Sequence, residues 1–216
     1  MPFHLEKEAL IASGVKDEGP ICDYVSKLDF LSRRFGIGEG LASLPLGEAK
    51  GLFDALWKER PNRYRRQGHF RLNRVIDAQV REMNGAVGNC LGLTLLYNCF
   101  LKRMGIEAEA LYLENAFGIG PHVLTILRVD DVEMDVENIL PEGFDYGGHK
   151  GDPSRQKWGD RELVADIYQS IGTELFEEER FSEALKNYDM ALKLNPGYEK
   201  ATLNRAILMD RMKTEG

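Results

Sequence analysis

Cysteine is scarce. The 216 residues hold only Cys22, Cys90 and Cys99. There is no CxxC pair and no His/Cys cluster at zinc-ligand spacing, so neither a disulfide framework nor a structural zinc is expected. An odd, small cysteine count points to a reducing, cytoplasmic compartment. Long apolar runs are missing as well. Stretches such as Ile11–Ala12 or Leu93–Tyr97 fall far short of the roughly 18 residues that mark a membrane span. Met1–Pro2–Phe3–His4–Leu5–Glu6–Lys7–Glu8 lacks a basic region followed by an apolar stretch, so no secretory leader is expected. Positive charge is not in excess. The 28 basic and 35 acidic residues leave a net charge of −7, which argues against a general nucleic-acid binder. No phosphate-binding glycine loop, dinucleotide fingerprint or metal motif is present, and Gly118–Ile119–Gly120 is too short to count as one. The expectation is therefore no cofactor and no metal.

What remains is an ordinary globular composition, 43% hydrophobic and 29% charged, with room for one domain and a small appendage. Ile21, Tyr24, Val25, Leu28, Phe30, Leu31 and Phe35 recur at helical spacing, and Gly36 and Gly38 end that run. A second helical pattern runs from Ala49 to Trp57 and is stopped by Pro61. Lys58 to Arg81 is locally basic and contains a further helix through Leu72, Val75, Ile76 and Val80, leading into Met83–Asn84–Gly85. From Cys90 to Met104 the pattern is apolar on nearly all sides, which marks a central, buried helix. Lys102, Arg103 and Gly105 close it. Three strands are expected after it: Ile106 to Leu113, His122 to Val129 and, after a turn at Asp130–Asp131, Val132 to Ile139. Residues 143–158 are rich in Gly, Asp, Pro and Lys and read as a long loop and linker.

The remainder is helical. Tyr168, Ile171, Gly172, Leu175, Ala184, Tyr188, Ala191 and Pro196 place small residues where two antiparallel helices approach, and large ones in the groove between them. This pattern resembles the tetratricopeptide repeat of about 34 residues. Phe181, Glu183, Leu185, Leu194 and Asn195 fit the same pattern, and Tyr198 to Met212 reads as a capping helix. One repeat and a cap are fewer than the roughly three that usually stand alone. The segment should pack on the preceding domain or extend a partner's array. The expected division is 1–158 and 159–216.

The chemistry centres on Cys90. A thiol in the first turn of a helix sits in the partial positive charge of the N-terminus, which favours the thiolate. The N–H groups there can also receive an oxyanion. Cys99, mid-helix among leucines, reads as a small buried hydrophobe, and so does Cys22. His122 opens a strand, where an imidazole can face a helix N-terminus packed against the sheet and exchange a proton with the thiol. Asp135 and Glu137 on the return strand share one face. With a two-residue turn, Ile126 lies opposite Asp135 and both acids fall on the His122 face. Glu137 is the nearer, Asp135 the alternative. Asn84 and Asn89 are candidates for an oxyanion side chain.

Four motifs carry a family resemblance: Gly88–Asn89–Cys90–Leu91–Gly92–Leu93, Arg103–Met104–Gly105–Ile106–Glu107–Ala108, Pro121–His122–Val123 and Asp135–Val136–Glu137–Asn138. They resemble the transglutaminase-like (papain-like cysteine protease) superfamily, in particular its bacterial branch with C-terminal tetratricopeptide repeats. The resemblance covers residues 71–147 for the core and 165–198 for the repeat. It implies an α+β fold with a central cysteine helix packed on an antiparallel sheet, followed by an all-α repeat segment. It implies Cys90 as nucleophile and His122 as general base and acid. The third position, usually aspartate, falls on Glu137, with Asp135 two residues early. A second departure is Leu124, where many active members have an aromatic residue.

Two functions compete. One is cysteine-dependent acyl transfer or amide hydrolysis on a protein or peptide. The other is a non-catalytic module that binds a protein partner through the repeat. A nucleic-acid role for Lys58–Arg81 is weaker, given the overall acidity, and Glu177–Glu178–Glu179 reads as a solvated turn.

Overall fold

The computed structural model describes residues 3–37, 44–81, 85–129 and 132–214. It is a mixed α/β structure of eight helices and one four-stranded antiparallel sheet among the described residues. Four helices come first: α1 (Leu5–Ala12), α2 (Glu18–Arg34), α3 (Pro45–Glu59) and α4 (Leu72–Val80). The central helix α5 (Cys90–Arg103) follows, then strands β1 (Glu107–Leu113), β2 (His122–Val129), β3 (Val132–Val136) and β4 (Gln156–Trp158). Helices α6 (Asp160–Glu177), α7 (Phe181–Leu194) and α8 (Glu199–Thr214) complete the chain.

Helix α5 is the axis of the fold, as its sequence requires. Every residue from Leu91 to Leu101 is buried, and each fully buried leucine contributes roughly 1.5–3 kcal/mol. Its first turn is capped by Asn89, whose side chain accepts the Gly92 N–H at 3.0 Å and so satisfies one of the orphan donors there. Its other end stops at Gly105, whose φ of 72° suits a residue without a Cβ. The earlier helices are tied to this axis. The Tyr97 hydroxyl donates to the Ala49 carbonyl at 2.8 Å, and Arg103 binds Glu6 and Asp29.

The sheet order is β3-β2-β1-β4. Leu113 pairs with His122, and Ile126 with Asp135. The register expected for the second hairpin is therefore present, although its turn, Asp130–Asp131, lies outside the described residues. Thr125 faces α5 and donates to Asn98 Oδ1 at 2.6 Å. Asn138 Nδ2 donates to Thr125 Oγ1 at 2.9 Å. This buried chain of hydrogen bonds joins helix, strand and the end of β3. The other face carries a separate small cluster of Leu111, Leu113, Ala116, Leu124 and Ile126.

Two expectations need correction. The third strand ends at Val136, short of Ile139, because a turn intervenes: Leu140 N–H bonds the Glu137 carbonyl and Gly143 N–H bonds the Leu140 carbonyl. Residues 143–158 are also no free linker. Gly143 O accepts the Glu137 N–H at 2.8 Å and Asp135 O accepts the Tyr146 N–H at 2.8 Å, so this segment continues the sheet beyond β3 before β4 pairs with β1. Glycine and aspartate marked the bends correctly but carry no periodicity to reveal the paired backbone between them.

The last three helices are fastened to the sheet. Leu163, Val164, Ala165 and Ile167 of α6 share one core with α5 and the sheet, so apolar packing runs across the expected boundary at Gly159. Tyr112 stacks on Trp158 at 4.2 Å, and Tyr198 meets Trp158 edge-on at 5.0 Å. Between α6 and α7 a Cβ on Gly172 would stand 2.6 Å from the Tyr188 ring, so the small residue is what admits the tyrosine. Among the described residues no helix is long and apolar enough to cross a membrane.

Candidate functional site

The site is built where the start of α5 meets the start of β2. The segment before α4 holds the Cys90 turn from outside. His69 O accepts the Asn89 N–H at 3.0 Å, and Gly88 O accepts the Arg65 N–H at 3.1 Å. The approach is close enough that a Cβ on Gly92 would lie 2.3 Å from His69 O. Glycine at positions 88 and 92 thus lets two backbones touch and sets the position of Cys90, which is half-buried.

His122, at the mouth of β2, is close enough to Cys90 for the sulfur to act on its charge. Its Nε2 lies 2.8 Å from Glu137 Oε2. With Nε2 committed to the carboxylate, Nδ1 is the nitrogen left for the thiol. His122 is 5% exposed and Glu137 0% exposed. Burial opposes the charge on His122, but Cys90 and Glu137, through their charges and the Glu137 hydrogen bond, outweigh it. They raise the pKa from 6.5 to about 10. Burial likewise pushes the Glu137 carboxyl up. Hydrogen bonds from His122 and His149, the His122 charge and the Ile139 N–H reverse that and hold it below its ordinary value.

Asp135 goes elsewhere. It is buried and forms a two-armed pair with Arg155, at 2.6 and 3.0 Å. The acid brought to His122 is Glu137. Cys99 is fully buried, and burial pushes its thiol pKa well above the usual value. Cys22, expected to be buried, is exposed on the outer side of α2; a single small residue leaves no mark on helical periodicity, so its side of the helix was not legible. Of the two asparagines, Asn89 is occupied as the α5 cap and Asn84 lies outside the described residues.

Three residues of the site carry no sequence signal. His149 lies in the glycine-rich segment, 6% exposed, with Nε2 at 3.2 Å from the same Oε2 of Glu137. Phe117 has a φ of 55°, sparsely populated for a residue with a Cβ. Its ring stands 4.8 Å from His149 and 5.6 Å from His122 and forms a wall beside both. Tyr64 pairs with Gly88 in a short bridge; burial and the nearby Cys90 raise its pKa. Only the general rule that loops carry functional side chains could have flagged them.

The donor atoms of His122, Glu137 and His149 lie within 4.8 Å of one another, a separation a metal ion could bridge. Each imidazole Nε2 is also within hydrogen-bond distance of Glu137 Oε2. The basic stretch from Lys58 to Arg81 is partly turned inward. Arg60 donates to the carbonyls of Arg81 and Gly85, Arg63 is buried over Trp57, and Arg71 pairs with Glu174.

Comparisons with family models, with curated proteins and with solved structures yielded no match.

Proposed function

We propose that this chain is a transglutaminase-like cysteine enzyme that performs acyl transfer or amide hydrolysis on a protein or peptide. The observation that carries the reading is the placement of His122, with its Nε2 2.8 Å from the buried Glu137 carboxylate and Cys90 near enough to favour its charged form. In this mechanism Cys90 passes its proton to Nδ1 of His122, and the sulfur attacks the carbonyl carbon of the substrate amide. The carbonyl π electrons move onto oxygen, which is met by N–H groups of the first α5 turn. As the tetrahedral intermediate collapses, the C–N bond breaks and the leaving amine takes the proton from Nδ1. Water or an amine then attacks the thioester with His122 as base, releasing the acyl group and restoring the thiol. Glu137 holds the ring in orientation and stabilises its positive form. No step calls on a cofactor or metal. Three free thiols suit a reducing, cytoplasmic setting.

The test is alkylation by iodoacetamide and by an electrophilic glutamine-containing peptide at pH 7. Wild type should label at Cys90 at least about 10-fold faster than at Cys99 or Cys22, and His122→Ala should abolish that preference. Equal labelling of the three thiols would sink the reading.

A second reading is a protein-interaction module built on the tetratricopeptide-like α6–α7 pair. It is favoured by Leu203 and Ile207, one turn apart on α8 and 60% and 50% exposed. Retention of partner binding by a variant with both changed to Ser would dispose of it.

A further inference from the structure

Glu137 uses one oxygen, Oε2, for two imidazoles, His122 at 2.8 Å and His149 at 3.2 Å. Oε1 is left to the Ile139 N–H at 3.4 Å. His149 is itself held from behind: Arg155 Nη1 donates to its carbonyl at 3.0 Å while both guanidinium nitrogens grip Asp135. A continuous array thus runs Asp135, Arg155, His149, Glu137, His122, Cys90, and all of its carboxylates are buried.

We infer that His149 is a positioning residue for the Cys90–His122 pair, acting through Glu137, and that Asp135 with Arg155 positions His149 in turn. The inference rests on the enzyme reading above. The geometry gives the reason. A carboxylate accepting from His122 alone could rotate about its last torsion and let the ring turn. A second N–H donor on the same oxygen, supplied by a ring wedged against Phe117 at 4.8 Å and Tyr146 at 5.1 Å, fixes that torsion. It also draws part of the carboxylate charge away from His122, so the ring remains able to release its proton to a leaving amine. His149 touches neither sulfur nor substrate in this account. Asp135, the alternative acid on sequence grounds, acquires a role that needs no contact with His122.

The titratable groups facing His122 and Glu137 are Cys90 on α5, His149 on the segment after β3 and Tyr64 on the segment before α4, and Tyr146 faces His149. The experiment compares full-length wild type, His149→Ala, His149→Gln and Arg155→Gln in the rate of Cys90 alkylation between pH 5 and 10. A glutamine amide can occupy the place of Nε2–H and donate to Oε2. His149→Gln should therefore stay within about 3-fold of wild type. His149→Ala should lose about 10-fold at pH 7 and give a pH profile displaced from that of wild type. Arg155→Gln should move in the same direction by less, which keeps the test decisive if the alanine variant does not fold. A His149→Ala profile that superimposes on wild type, or a glutamine variant as impaired as the alanine one, would overturn the inference. If wild type itself matches His122→Ala, the enzyme reading falls instead, so the two failures are distinct.

Discussion

His122 Nε2 and Glu137 Oε2 meet at 2.8 Å in a place where both residues are buried. A short contact there is sensitive to the charge on its acceptor, because the low local dielectric strengthens it and nothing replaces it when it is lost. Glu137→Gln keeps the size and removes the charge. With its oxygen in the place of Oε2 the amide still accepts from both imidazoles, but without the negative charge, and its NH2 then faces the Ile139 N–H, donor against donor. The expected outcome is a loss of at least about 100-fold in turnover of a peptide substrate, together with destabilisation of about 2–4 kcal/mol in urea unfolding. A variant with wild-type turnover would remove Glu137 from the mechanism.

The same contact makes stability depend on pH. The His122 pKa in the folded chain, about 10, lies above its ordinary 6.5. Its contribution is therefore complete below about pH 6.5 and is lost as the pH rises towards 10. Glu137 works in the opposite sense: its pKa lies below the ordinary 4.5, so its contribution holds above that value and fades on acidification. The urea midpoint of wild type should fall between pH 6.5 and 10 relative to that of His122→Gln. Parallel midpoints across this range would contradict the assignment.

Gly92 offers a structural test of how Cys90 is placed. An added Cβ would lie 2.3 Å from the His69 carbonyl oxygen and 2.7 Å from a Val75 methyl. The neighbour at the shorter distance is backbone and cannot swing aside. Although alanine is the better helix former by about 1 kcal/mol, Gly92→Ala should lose about 2–3 kcal/mol of stability in denaturant. Cys90 alkylation should slow with it. Unchanged stability would mean that the turn at residues 65–69 yields more easily than its hydrogen bonds to residues 88 and 89 imply.

The contribution of α6 to the core leads to a further expectation. A chain ending at Trp158 would uncover the surface that Leu163, Val164, Ala165 and Ile167 now fill, and leave Trp158 without the edge of Tyr198. It should lose its sharp thermal transition and bind a hydrophobic dye. Retention of a cooperative melt near the full-length temperature would show that residues 1–158 are self-sufficient.

Much of the site was legible before any coordinates. The polarity of the α5 sequence marked a buried helix with Cys90 in its first turn. The period-two alternation of β2 and β3 put both acids on the His122 side and made Glu137 the nearer. That argument needs only local geometry, a two-residue turn and the pleat, and the register of Ile126 with Asp135 agrees with it. His149 escaped because it sits between Gly148 and Lys150 in a segment without periodicity, so nothing local ties it to a residue on β3. The end of β3 at Val136 escaped for a related reason. The turn that stops the strand is closed by Gly143, where a Cβ would stand 2.0 Å from the Glu137 carbonyl oxygen, and that is a contact between backbones.

By itself, then, the amino-acid order determined helices α2 to α8 in outline, strands β1 and β2 and the start of β3, because those follow from side chains a few residues apart. It also set the thiol at a helix start and an imidazole at a strand start. The tertiary structure alone decided that Glu137 accepts from two rings, that Asp135 turns to Arg155, and that α6 completes the core. Those outcomes depend on long-range backbone approach and on competition among buried donors for the same oxygen, and neither is encoded in any single stretch of the chain.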